Sequence, residues 1–219
     1  MKRALHGLFF LVVFFVFSYW SNGAGVSTQC VNSDCQVSAA ASLFSIGGGL
    51  VIFIVAWWLP RPGLVSTEQR VGFFRKLGSL IVDLILVLIG FPALFALPML
   101  LVEAHYVGEF QWQFVRSSLR ATDFPLTFFA VIGAFSIVAA FRVRASMRSQ
   151  PSFGQYLMGY QVIVVERPLT TIEAVKRTVL ASFCLLAAPA YLLYRKSVGL
   201  QDDVWDVKAR TRSVRFNYQ

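Results

Sequence analysis

An aspartate at position 83 stands inside an otherwise apolar stretch, Leu77–Leu101. An ionised carboxylate at such depth is costly unless it faces protein or water, so Asp83 is the candidate proton- or cation-binding residue. Six helical rises from Leu77 carry it about 9 Å into that stretch. Lys76 precedes it by nearly two helical turns and therefore projects from the same face. A snorkelling Lys76 can pair with it, as can Arg75 from the adjacent face or the distant Arg177. Two roles stay open for this carboxylate. It either holds an ion pair that fixes helix orientation, or it handles protons or cations directly.

The remaining reactive residues are sparse. Cys30 and Cys35 bracket a short polar loop, C-V-N-S-D-C, and in an oxidising compartment the pair can close a small disulfide. Cys184 lies in an apolar stretch and reads as a packing residue. Glu103 and His105 are two residues apart, but no third ligand accompanies them, and the only other histidine is His6. A metal site is therefore not expected, nor is any cofactor. Gly47-Gly48-Gly49 lacks the lysine of a phosphate loop and reads as close helix packing. No nucleophile–base set is present, and an enzyme is not expected.

Composition explains why so little chemistry is on offer. Of 219 residues, 57% are hydrophobic and only 14% charged, with 21 phenylalanines. Soluble domains carry about 25% charged residues. The apolar residues gather in five stretches: Ala4–Trp20, Ala39–Leu59, Leu77–Leu101, Phe124–Phe141 and Thr178–Tyr194. A bilayer is crossed by about 20 helical residues, so a multi-pass membrane protein is expected. The net charge of +9 does not point to nucleic acid. The basic residues flank apolar stretches and carry no base-reading motif; they read as topological anchors touching anionic lipid headgroups.

Those charges also orient the chain. With both termini inside, every basic residue but Arg116 and Arg120 falls on the inner side. That arrangement requires the fifth stretch to bend back as a re-entrant or interfacial element, and Pro189 interrupts it; a plain fifth crossing, with the tail outside, is the alternative. The expected fold class is an all-α polytopic bundle of four crossings plus this bent fifth element, with short inner strands. The first stretch reads as an uncleaved signal anchor. Residues 1–59 then form a transmembrane hairpin around an outer cysteine loop, 60–76 a polar linker, and 77–219 a membrane domain with a basic inner loop and tail. Tyr160–Val165 favours a strand, with Ser213–Phe216 as its partner. Thr170 or Thr171 can cap a helix starting near Ile172.

Three patches resemble the RDD family of small bacterial membrane proteins. The first runs from Gly72 to Asp83, a basic residue followed by an aspartate. The second runs from Ser152 to Ile163 around Gly154 and Gly159, with Arg167-Pro168-Leu169 and Arg177 following. The third is Asp206-Val207-Lys208-Ala209-Arg210-Thr211-Arg212-Ser213-Val214. The resemblance spans about residues 70–216. It departs from the family pattern at Lys76, where arginine is usual, at Arg210, where glycine is usual, and in the extra N-terminal hairpin. It implies a membrane domain of the bacterial inner membrane and, as proposed for some members, cation–proton exchange. It also singles out Asp206, with Arg144, Arg148 or Lys208 as expected partners, whereas Asp202 and Asp203 read as a solvated turn. The runner-up is a noncatalytic adaptor or assembly component that docks partners through basic inner loops. A homo-oligomer or a membrane-complex partner suits either reading.

Overall fold

The computed structural model describes residues 24–31, 34–60, 64–118, 120–121, 123–148, 150–165, 167–199 and 202–217. Gly7, Leu8, Val12 and Val16 are described ahead of these, as helix. The first apolar stretch otherwise lies outside the described residues. In chain order the elements begin with strands β1 (Gly25–Val31) and β2 (Asp34–Ala40), helix α1 (Leu43–Trp58), strand β3 (Leu64–Arg70) and helix α2 (Phe73–Val107). Strand β4 (Gln113–Arg116), helices α3 (Asp123–Arg148) and α4 (Phe153–Met158) and strand β5 (Tyr160–Val164) follow. The chain closes with helices α5 (Thr171–Leu186), α6 (Ala188–Val198) and α7 (Val204–Lys208) and strand β6 (Thr211–Asn217).

Among the described residues, two helices, α2 and α3, are long and apolar enough to cross a membrane. A third span results if α5 and α6 count as one, although they bend by 101° where they meet. The bend follows from local chemistry. Ala187 closes α5, and Pro189 occupies the first turn of α6, where its missing N–H would have had no helical partner. Helix α1 is apolar but has only 16 residues. Four crossings are thus not established, and the all-α expectation needs correcting. The described residues include two three-stranded antiparallel sheets, β1–β2–β4 and β3–β6–β5. The β5–β6 pair is the one the sequence suggested. Strand β3 falls in what read as a featureless linker, and β1 with β2 in what read as a cysteine loop.

The chain divides into two compact units. One draws on Ala56–Ile85 and Ile137–Gln219, the other on His6–Val55 and Leu86–Ser136, so α2 and α3 each contribute to both. In the second unit, β2 alternates as a half-buried strand should: Val37 and Ala39 are buried and pack with Met99 and Leu100 of α2. Ser42 and Ser45 exchange hydrogen bonds at the start of α1. The triple glycine lies where α1 and α2 approach. A Cβ at Gly49 would strike the Gly90 carbonyl, and one at Gly90 would come within 3.1 Å of the Phe53 ring.

The two basic residues that break the charge bias are accounted for within this unit. Arg116 reaches Glu103 at 3.1 Å and also pairs with Asp123, while Arg120 binds Glu103 at 2.8 Å and stacks over Tyr106. Glu103 is therefore a helical residue of α2 held by two guanidinium groups.

The register of β1 on β2 sets Cys30 directly opposite Cys35. Cross-strand neighbours have a Cα separation within the range that a disulfide spans. Mass spectrometry of protein trapped with alkylating reagent should recover the intact Cys30–Cys35 crosslink, which would also assign this hairpin to the oxidising side of the membrane. Full alkylation of both thiols without reductant would show that the crosslink is absent.

Candidate functional site

The first unit concentrates ionisable side chains away from solvent. One face of α2 buries Phe73, Lys76, Ser79, Leu80 and Asp83, the spacing of a single helical stripe. Helix α3 adds Val138, Phe141, Arg142, Ala145 and Ser146, and α5 adds Ala174, Arg177, Thr178 and Ala181. Asp203 and Asp206, on either side of the start of α7, are buried with them. Apolar and charged residues thus share the same inward stripes. Each buried charge there requires a partner, because the desolvation penalty amounts to several kcal/mol per ion.

The pairing differs from the expected one. Lys76 does not turn to Asp83; its ammonium donates to Asp206 at 2.9 Å and also to Asp203. Arg177 likewise pairs with Asp206, while its Nε donates to Thr211 Oγ1 at 2.8 Å and its Nη1 to Ser146 Oγ at 3.1 Å. Thr211 and Ser213 of β6 complete the shell by donating to Asp206 at 3.1 and 2.8 Å. Asp203, expected in a solvated turn, accepts from Tyr191 at 3.0 Å and from Arg195 at 3.3 Å besides Lys76. Arg144, Arg148 and Lys208 were the partners anticipated for Asp206. Arg144 instead donates to the Trp57 carbonyl and lies over its ring at 4.1 Å, while Arg148 and Lys208 are exposed.

Asp83 is served from elsewhere. Its Oδ1 accepts from the Gly154 backbone N–H at 2.7 Å and its Oδ2 from Ser152 Oγ at 2.8 Å. Arg142 Nε lies 3.3 Å from Oδ2, an ion pair by distance. That N–H is not aligned for a hydrogen bond; the aligned donation runs from Nη2 to Ser79 Oγ at 2.7 Å. Ser152 and Gln155 form a capping box at the start of α4, and Asp83 adds a carboxylate from another helix to the same N-terminus. Ser79 Oγ in turn meets Tyr160 Oη at 2.6 Å, where either hydroxyl can donate. Arg75, the residue before Lys76, is half-buried in the first turn of α2. Among the described residues, no group of three or more His, Cys, Asp or Glu side chains could hold a metal ion.

The electrostatics are clearest at Asp206. Burial pushes its carboxyl upward, but the charges of Arg177 and Lys76 and their hydrogen bonds outweigh this and hold it down at about 2. Since the folded value lies below the roughly 3.9 of an unfolded aspartate, Asp206 stabilises the fold fully above that value. The contribution is lost only as pH falls from there through about 2. The cluster is therefore an ionic lock at physiological pH.

Arg142 and Asp203 are the residues that sequence reasoning misplaced. Arg142 follows Phe141, where the apolar stretch stops, and so read as a flanking charge. Carrying the Val138–Phe141–Ala145 periodicity onward would have placed it on the buried face. Asp203 offered no such signal, because the partners that bury it come from α2 and α6.

Comparison of the chain with protein-family models, curated proteins and solved structures finds no match. The case for a function rests on this geometry and on the residues themselves.

Gly154 gives the arrangement a direct check. A Cβ there would collide with the Ser79 carbonyl and crowd Asp83 Oδ1 at 2.9 Å, whereas a Cβ at Gly78 meets only the flexible end of Met158 at 3.3 Å. Gly154→Ala should lower stability by about 1–3 kcal/mol, the scale of overpacking, and Gly78→Ala by less than ~0.5 kcal/mol. Unfolding of the purified variants reads both. Equal behaviour of the two would refute the close approach of α4 to α2.

Proposed function

We propose that this chain is an RDD-like, multi-pass protein of the bacterial inner membrane that exchanges a monovalent cation for protons, with Asp83 as the titrating carboxylate. Both termini lie inside, and the Cys30–Cys35 hairpin lies outside. The observation that carries the reading is the set of three buried carboxylates, Asp83, Asp203 and Asp206, each facing a cationic side chain of the same unit. From the sequence, Asp83 was a lone acid, and exchange by one carboxylate leaves no second place for a cation to rest. The folded chain supplies two more, with Lys76 between them as a tethered cation that competes with a mobile one.

A proton route is also at hand. The hydroxyls of Tyr160 and Ser79 are hydrogen-bonded to each other, and Ser79 accepts from Arg142, which pairs with Asp83. A void of about 20 Å³ borders Lys76, Arg142, Tyr160 and Arg177, room for a single water where one needs roughly 10–15 Å³. A proton arriving at Asp83 neutralises it and frees Arg142. A cation taking the proton's place restores the charge.

The second reading, a noncatalytic adaptor, is favoured by the completeness of the Asp206 shell. Lys76, Arg177, Thr211 and Ser213 all donate to that one carboxylate, as in a static lock. The exposed Arg148, Lys176, Lys196 and Lys208 then serve to dock an acidic partner.

Proton flux driven by Na⁺, K⁺ or Li⁺ in liposomes separates the two. Purified wild type should exchange, and Asp83→Asn, which keeps the shape but removes the titrating group, should fall to the level of empty vesicles. Well-folded wild type that moves none of the three cations would rule out transport and leave the adaptor. Equal flux in both proteins would remove Asp83 from the mechanism.

A further inference from the structure

Thr178 lies on α5, only 3% exposed, and its Oγ1 has no hydrogen-bond partner among the described residues. A helical threonine can donate back to the carbonyl one turn earlier, and a buried hydroxyl that bonds nothing is rare in a folded chain. Thr178 also forms part of the wall of the void of about 20 Å³ that borders Lys76, Arg142 and Arg177. The unpartnered hydroxyl and the void therefore coincide, among the buried cations of the first unit.

The wall of this void has a one-sided chemistry. Asp83, Asp203 and Asp206 do not contribute to it, whereas Lys76, Arg142 and Arg177, which pair with them, all do. Lys76 donates to Asp203 and Asp206, Arg177 to Thr211, Ser146 and Asp206, and Arg142 to Ser79. These acceptors are fewer than the N–H groups of an ammonium or a guanidinium, so each cation keeps donors to spare. Gln155 also borders the void; its carbonyl oxygen is taken by the Ser152 N–H, which leaves the amide NH2 as the group it can offer.

Surplus donors, positive charge and room for one small particle together select a monatomic anion. A halide accepts from every side, donates nothing, and forms the charge-assisted bonds that ammonium and guanidinium groups make most strongly. Lys76 and Ser213 also line a larger cavity, of about 290 Å³, from which an ion can enter past them.

We propose that this void is a chloride site, with Lys76, Arg142 and Arg177 supplying the charge and Thr178 a hydroxyl that donates to the ion. Chloride there takes the place of the single water for which the same void has room. The site is independent of the transport reading, because it is read as binding and involves neither Asp83 nor any flux.

The test uses the purified full chain in neutral detergent. Sodium chloride replaces sodium gluconate at constant ionic strength and pH, while thermal unfolding and the line width of the chloride NMR signal are followed. Wild type should melt higher as chloride rises, in a saturable way, and bromide should displace the bound chloride whereas sulfate, too large for the void, should not. Thr178→Val keeps the shape of the side chain and should weaken chloride binding roughly tenfold, the scale of one lost hydrogen bond to a charged group. In gluconate the same variant should melt no lower than wild type, so that its loss of binding is not a loss of fold. Thr178→Ser, which retains the hydroxyl, should bind as wild type does. Absence of any saturable chloride effect on wild type would overturn the proposal and leave the void to water. Displacement by sulfate as readily as by bromide would overturn it too, since the ion would then sit on an open surface, as would undiminished binding by Thr178→Val.

Discussion

The burial of Lys76 against Asp203 and Asp206 is the interaction on which the first unit depends. A lysine near the start of an apolar helix can usually extend its ammonium toward water. Here the side chain is 6% exposed and the partners of its ammonium lie 127 and 130 residues along the chain. An uncompensated ammonium at such a site is strongly destabilising, by about 3–5 kcal/mol, so the C-terminal segment must return to α2. Much of the local architecture follows from that return. Trp205 is buried with its ring 5.5 Å from the Lys76 ammonium, α7 presents Asp206, and β6 then enters the sheet between β3 and β5. The hydroxyls of Thr211 and Ser213 reach Asp206 because they begin that strand.

Asp83 obeys the same constraint by different means. Backbone and hydroxyl donors from the start of α4 take both of its oxygens, and Arg142 provides the charge. This couples the deepest carboxylate of α2 to a short helix whose own cap, Ser152, is one of the donors. A change of charge at Asp83 would therefore act on α4 and on Arg142 together. That coupling is what a static ion pair and an exchange site have in common, and it is why the chemistry of the group, rather than its placement, decides between them.

The local elements were legible where a periodicity or a cap specified them. Thr170 caps α5 through a box with Glu173, the β5–β6 pair formed where β-branched residues alternate, and Pro189 marks the bend between α5 and α6. Asp83, Lys76 and Arg177 were singled out from residue type and spacing and Asp206 through the RDD resemblance, and all are buried in one unit. Their pairing was not legible. Spacing along a helix puts Lys76 on the face of Asp83, but a side chain seven residues away competes with every charge that packing brings from elsewhere. Asp206 holds Lys76 within a shell completed by Arg177 of α5 and by two hydroxyls of β6. Strands β1, β2 and β3 were missed for a related reason. β1 and β3 are rich in Ser, Thr and Gln, and β2 mixes Asp, Gln and Ser with small residues, so composition read them as loop, and only strand pairing makes them regular.

The central claim is that Lys76 and Asp206 stabilise each other inside the fold, and a double-mutant cycle measures this most directly. Unfolding of Lys76→Met, Asp206→Asn and the double variant gives the coupling. The double variant should lose less than the two single losses combined, by about 1–3 kcal/mol. Strictly additive losses would contradict the account, because they would mean that neither group senses the charge of the other.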